Sequence, residues 1–348
     1  MGIVQASIAR PSLAKRLSKN LPVVIVLAAS VVLTVGILVT GGSSQIVNTI
    51  VTGGMWALLA AGLTLVLGVM NIPHFAHGES FMVGAYVAYF VFTPLTGYLQ
   101  DHPNPFLSGA APFAGFAAAA VVGLVLGAVV ERLVFRPLRK RTREGWVMNT
   151  FLLTVGLSFI LTNGATLTLG PNYEGITRYW DVRPLQFLGV RVTVDRLVAF
   201  AIAMITIGAL WFFLRRTQTG RAIRAVSQNE TGAEMVGVNL DFIHTLTFSL
   251  ATAMAALAGA CLLFLFQAYP TVGLSPLYFA WYVVMLVGLG NVGGAIVGGF
   301  FVALLQTATQ QFVGIAWEDV IPTGIMIVVL ILAPSGLFGS EVKGIQEQ

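Results

Sequence analysis

At 348 residues with 57% apolar and 9% charged side chains, the chain cannot be a soluble globular domain, where about a quarter of residues carry charge. A mean hydropathy of +0.86 makes lipid the solvent for most of its surface. The formal charge of +5 does not mark a nucleic-acid binder, because the Lys and Arg gather in short stretches between apolar runs, the pattern of a membrane topology signal.

Taken in chain order, runs of about 17–25 apolar residues read as spans at 21–40, 46–70, 73–98, 110–135, 147–169, 195–214, 243–267, 276–290, 293–313 and 319–338. The first is long and ends in Thr40-Gly-Gly-Ser-Ser, a poor cleavage context, so it reads as a span and not a signal peptide. The junctions Asn71 to Glu79 and Gly288-Leu-Gly-Asn-Val-Gly-Gly294 are short, and either pair of flanking runs fits a broken or re-entrant helix. The expectation is an all-α polytopic membrane protein of about 8–10 transmembrane helices, broken or re-entrant near 71–80 and 288–294. One transmembrane unit, 21–338, lies between a cytoplasmic tail at 1–20 and another at 339–348.

Charge orients it. With the N-terminus inside, alternation puts Arg132 to Arg143 and Arg215 to Arg224 inside as well, leaving only Arg178, Arg183, Arg191 and Arg196 of the basic residues outside. The one cysteine, Cys261, allows neither an intramolecular disulfide nor a thiolate metal cluster.

On this reading the Lys and Arg lie between the apolar segments or at their very ends, and Glu79 is essentially the one acid well inside. It closes the Pro-broken stretch Asn71-Ile-Pro73-His74-Phe75-Ala-His77-Gly78-Glu79. A charge in the hydrocarbon core costs several kcal/mol and marks function by default. Asn71 reads as a helix N-cap with Pro73 in the first turn; a half-helix starting near Asn71 or Gly78 would aim N–H groups into the protein. The bland reading is a polar turn at the surface. His74 and His77 beside Glu79 raise a metal site, but His102, His244 and Cys261 lie far along the chain, and no metal is expected.

The 215–242 loop carries Ile223, Val226 and Ala233 near helical spacing, with Arg221, Arg224 and Gln228 on other faces. Thr231-Gly-Ala-Glu234 fits a capping box that opens a second short helix, and Gly237 fits its end. An orienting loop needs no such order. Gly123/Gly127 and Gly294/Gly298 are small-xxx-small pairs that fit helix packing within the chain. The outer loop Gly170 to Asp195, with Tyr173, Tyr179 and Trp180, reads as a docking surface or an ordered cap.

The stretches Asn71 to Glu79 with Gly84-Ala-Tyr86, Gly220-Arg221-Ala-Ile-Arg224-Ala225 with Asn229, Ala233, Glu234 and Gly237, Leu289 to Gly294 with Gly298, and Ala333-Pro-Ser-Gly336-Leu-Phe338 resemble the branched-chain amino acid ABC permease family. The match is to the partner with an Asn-Phe-Ala-His-Gly-Glu-like signature, and Pro73-His74 departs from it. That resemblance implies an importer subunit in the bacterial inner membrane, paired with a second permease. Two cytoplasmic ATPases would drive it and an extracytoplasmic binding protein would supply it. The substrate path or gate would run by Asn71 to Glu79, and the ATPase-coupling helix would lie in Gly220 to Gly237. None of the four lysines follows Gly in a Gly-Lys-Ser/Thr context, so no P-loop is present and ATP would be bound by the partners. An ion-coupled transporter using Glu79 is the alternative; such proteins hold several intramembrane acids. No nucleophile–base pair or His-Glu-x-x-His spacing points to an enzyme.

Overall fold

The computed structural model describes residues 13–141, 146–176, 184–187, 190–333 and 336. Its helices are α1 (Leu13–Met70), α2 (His77–Asp101), α3 (Pro105–Val130), α4 (Arg136–Arg141), α5 (Trp146–Leu169), α6 (Val194–Arg216), α7 (Gln218–Gln228), α8 (Glu230–Met235), α9 (Leu240–Leu262), α10 (Leu274–Val287), α11 (Val292–Phe312) and α12 (Val320–Leu332). A π-helical turn, Glu131–Phe135, joins α3 to α4. A small antiparallel ribbon of β1 (Leu185–Phe187) and β2 (Val190–Val192) precedes α6. Among the described residues, eight helices are long and apolar enough to cross a membrane. The chain is an all-α polytopic membrane protein.

Helix α1 is two spans, not one. In a straight helix Ser30 and Thr49 would stand about 28 Å apart, yet they line one groove with Ile296, Phe300 and Leu304 of α11. The chain folds back at Gly42, whose φ of 72° and ψ of 177° no helix interior adopts. Thr49 then donates to Thr307 at 2.9 Å from the second arm, while Ile37 packs on Leu304 and Ala308 from the first. The two arms and the short α10 bring the apolar segments to the ten read from the sequence.

Glycines set how closely the bundle packs. A Cβ on Gly84 would meet the Ala256 carbonyl oxygen at 1.9 Å, and one on Gly259 would meet that of Phe81 at 1.9 Å, so α2 and α9 cross in backbone contact. Gly123 and Gly127 press α3 onto Ala253 and Ser249 of α9, and Gly294 and Gly298 press α11 onto Val287 and Val283 of α10. The expected intrachain packing is what those pairs do. Helix α9 sits at the centre, buried along nearly its whole length.

One expectation about charge is corrected. Glu131 lies inside the Pro105–Arg141 apolar run and is fully buried, so Glu79 is not alone. Glu131 is held by Arg139 at 2.9 Å and by the Thr245 hydroxyl at 2.6 Å, and Arg139 also reaches Asp241 at 3.4 Å. Arg136 and Lys140 complete the cluster on Asp241 at 2.6 and 3.2 Å. A buried carboxylate persists only when paired and hydrogen-bonded. Arg136, Arg139 and Lys140 are therefore structural partners of these acids.

Of the outer loop, Glu174 pairs with Ala268 through two backbone hydrogen bonds of 2.8 and 2.6 Å. Tyr179 and Trp180 lie outside the described residues, as do Pro334 and Ser335.

Candidate functional site

Helix α1 stops at Met70 because Asn71 takes a left-handed conformation, φ 54°, which Asn tolerates better than most residues. Pro73 disfavours helix at Ile72. Asn71 is thus the end of α1, not the N-cap of α2: α2 starts at His77, after Ala76, with no side chain capping it. Residues 71–76 carry the chain back into the bundle without helix, and two of their backbone groups meet Thr154 on α5. The Thr154 hydroxyl accepts from the Phe75 amide at 3.2 Å and lies 2.8 Å from the Phe151 carbonyl and 3.2 Å from that of Pro73.

Six of the seven expected path residues gather at this turn, with Asn71 exposed at its edge. His74 is buried against Phe248 (ring centroids 4.8 Å) and Phe135 (6.4 Å), and its two ring nitrogens have no partner. Phe75 packs edge-on against Phe151 at 5.2 Å and beside Trp281 at 5.6 Å. His77 donates from Nε2 to the Leu59 carbonyl at 3.1 Å, and its Nδ1 has no partner. Glu79 is 2% exposed. Its Oε1 accepts from Ser158 at 2.6 Å and Thr162 at 3.4 Å, while Oε2 has no partner.

The sequence reading missed what lies opposite. A Cβ on Gly78 would sit 2.4 Å from the Gly273 carbonyl oxygen, and one on Gly273 would sit 2.0 Å from that of Gly78. Gly273 is the N-cap of α10, again without a side-chain cap. Helix α10 has 14 residues, about 21 Å at 1.5 Å per residue, short of a core about 30 Å thick. Two helix starts therefore meet inside the bundle, each with first-turn N–H groups lacking an intrahelical acceptor. Partial positive charge from both converges beside a buried carboxylate.

Also missed were Ser158 and Thr162. The signal was present: Thr150, Thr154, Ser158, Thr162 and Thr166 recur every four residues, a polar stripe along α5. Nothing in the sequence points to Gly273, nor to the π-turn that sends Glu131 to the ion cluster and Phe135 to His74.

The second set of residues forms a separate region. Helix α7 buries Gly220, Ile223 and Val226 and exposes Arg221 and Arg224, as the periodicity predicts. Gly220 is obligatory, because a Cβ would lie 2.2 Å from the Phe213 carbonyl oxygen. Ala225 is half-buried behind it. The capping box is corrected: Asn229, not Thr231, caps α8, its Oδ1 accepting from the Gly232 amide at 2.8 Å. Thr231 and Glu234 lie within the helix instead, and Ala233 is its buried residue. Gly237, φ 86°, ends the turn with its amide on the Glu234 carbonyl, while the Val238 amide reaches that of Ala233. Glu230 approaches His244 Nε2 at 3.6 Å. Burial holds the Glu230 carboxyl above its ordinary pKa, against the pull of the nearby Arg139 charge.

Residues 45–330 match the family described as branched-chain amino acid transport system / permease component. The chain belongs to that family. It is 29% identical over 306 residues to the high-affinity branched-chain amino acid transport system permease protein LivH of Escherichia coli K12, covering 85% of this chain and 94% of that one. BraD of Pseudomonas aeruginosa is 29% identical over 304 residues, covering 85% and 95%. The similarity extends, at 23% identity over 303 residues, to the ribose import permease protein RbsC of Haemophilus influenzae, covering 84% and 85%. Resemblance to the permease family, inferred from the 71–79 and 220–237 stretches, is thereby established over most of the chain.

Proposed function

We propose that this chain is the membrane permease subunit of an ABC importer that takes up a branched-chain amino acid, or a related small solute, by alternating access. The observation that carries the reading is the meeting of the α2 and α10 starts beside Glu79. A zwitterion needs two opposite partners. The converging N–H groups favour a carboxylate, and the free Oε2 of Glu79 favours an ammonium. The Gly78–Gly273 contact is the closed gate, and its parting opens the path. His74, whose two ring nitrogens lack partners in the closed state, and the unpartnered Nδ1 of His77 would gain partners as the contact parts.

Helices α7 and α8 are the element that docks on an ATPase. The capped, amphipathic Gly220 to Gly237 segment presents Arg221 outward, with the exposed Arg224 on the side toward α6, and Glu230 reaches the helix that carries Thr245 of the ion cluster. On this reading a second related permease, two cytoplasmic ATPases that bind the ATP, and an extracytoplasmic binding protein complete the importer. It sits in the inner membrane with both termini cytoplasmic, in accord with the gathering of basic residues at the α7–α8 end.

The test is purification from native membranes in mild detergent with mass spectrometry of what stays bound. A second permease with P-loop ATPases is the expected result, followed by ATP-dependent uptake of labelled leucine in proteoliposomes. A chain that purifies alone and folded, and whose uptake follows an ion gradient, overturns the reading.

A further inference from the structure

At the same end as α7, a cavity of about 250 Å³ opens between four elements. Thr64, Leu65, Gly68 and Val69 come from α1, Trp211 and Arg215 from α6, and Arg224 and Ser227 from α7, with Gly290 to Gly293 closing it. Two arginines thus line one space. Arg215 lies 4.6 Å over the Trp211 ring, and among the described residues neither Arg215 nor Arg224 has an acidic partner. The wall between them is the start of α11. Asn291 caps the Gly294 amide at 2.9 Å, and among the described residues the Val292 and Gly293 amides meet no backbone acceptor, as at any helix start. That start is fixed in place, since Gly290 meets Gly68 backbone to backbone. Thr64 adds an independent sign: it is 1% exposed, lines the cavity, and its hydroxyl has no partner.

Two cations, a helix start and an orphan hydroxyl in one cavity describe a receptor for a phosphate group. We propose that the cavity binds the phosphate of an anionic phospholipid headgroup. The source is a lipid because the cavity lies where α6 leaves the apolar layer. Trp211 is 43% and the adjacent Phe212 59% exposed there, an aromatic pair of the kind that sits at headgroup depth. Arg215 and Arg224 hold the phosphate from two sides, Thr64 and the α11 amides hold it from below, and Phe212 lies alongside the acyl chains. The site joins α7 to α1, α6 and α11 through the lipid, so it does not depend on which solute the protein carries.

Native mass spectrometry of the full purified chain, with whatever subunits accompany it, tests this with phosphatidylglycerol and phosphatidylcholine as probes. One phosphatidylglycerol should be retained where phosphatidylcholine is lost, and Arg215→Gln with Arg224→Gln should weaken that retention at least tenfold. Arg216→Gln, one residue away and outside the cavity, should leave it unchanged. Thr64→Val should weaken it by a smaller factor with the arginines intact, which keeps the test open if the double variant folds poorly. Equal retention of the two lipids, or retention unaffected by both the double variant and Thr64→Val, overturns the proposal. Inorganic phosphate at millimolar concentration should leave the lipid bound; if it empties the cavity, the site is one for free phosphate and the lipid assignment falls.

Discussion

The start of α2 and the α7–α8 loop solve one problem, the unpaired N–H groups of a helix start, in opposite ways. In the loop, Thr217 and Asn229 side chains cap α7 and α8 at 2.9 and 2.8 Å, so each helix is complete in itself. At α2 and α10 no side chain caps the start, and the two are pressed together at Gly78 and Gly273 in the interior. A capped start is stable where it stands and suits a surface that must keep its shape for a partner. An uncapped start must find acceptors for its first-turn donors elsewhere: at α10 the Thr271 carbonyl takes the Leu274 amide at 3.2 Å, and the rest depend on a neighbour or a ligand. The same comparison separates glycines: Gly220 is required for packing the loop against α6, Gly78 and Gly273 for the close approach of two helix starts that we propose as the gate.

The largest way to break the comparison is to remove what both regions rest on. Arg139→Ala leaves the fully buried Glu131 without its cation, while Arg136 and Lys140 still hold Asp241, at a cost of about 3–5 kcal/mol. Thermal unfolding in detergent should register it as a sharp loss of stability, while Lys140→Ala, on a side chain 59% exposed, should cost far less. Next, Gly273→Ala forces a Cβ onto the Gly78 carbonyl. Overpacking of about 1–3 kcal/mol should hold the gate apart and cut uptake about 10- to 100-fold. If the variant transports normally, the contact is not a gate.

Glu79→Gln sharpens the comparison from within. Ser158 and Thr162 can still donate to the amide oxygen, so the fold should survive. Losing a charge-assisted contact of about 1.5–3 kcal/mol should slow uptake about 10- to 100-fold, and unchanged rates in proteoliposomes would reduce Glu79 to packing. Smallest, Asn229→Ala removes a cap worth about 1 kcal/mol. Hydrogen exchange should quicken in α8 alone, and the ATP consumed per solute should rise while the start of α2 stays protected.

Much of the fold was legible because hydropathy reports burial in lipid directly: the ten apolar segments, the break at Asn71 to Glu79 and the amphipathic α7 all follow from spacing. The errors were local competitions that spacing does not resolve. Asn71 can cap a helix or end one, and Pro73 together with the left-handed backbone decides for ending it. Asn229 and Thr231 compete to cap α8, and Asn229 wins because the helix begins one residue after it. The remaining misses are pairings between distant residues. Glu131 looks like a loop acid until Thr245 is seen across the bundle, and Gly273 looks like any turn glycine until α10 proves too short to span. The polar stripe on α5 was readable, but an apolar helix hides its one polar face among residues that face lipid.

The central claim is that the solute passes where α2 and α10 meet, and accessibility tests it most directly. A cysteine placed at Ser158, beside Glu79, reports on that spot, and native Cys261 is fully buried and need not be replaced. In the assembled transporter a membrane-impermeant thiol reagent should modify Ser158→Cys during ATP-driven turnover, and excess solute should protect it. Modification that solute does not slow, or none under any condition, would contradict the account.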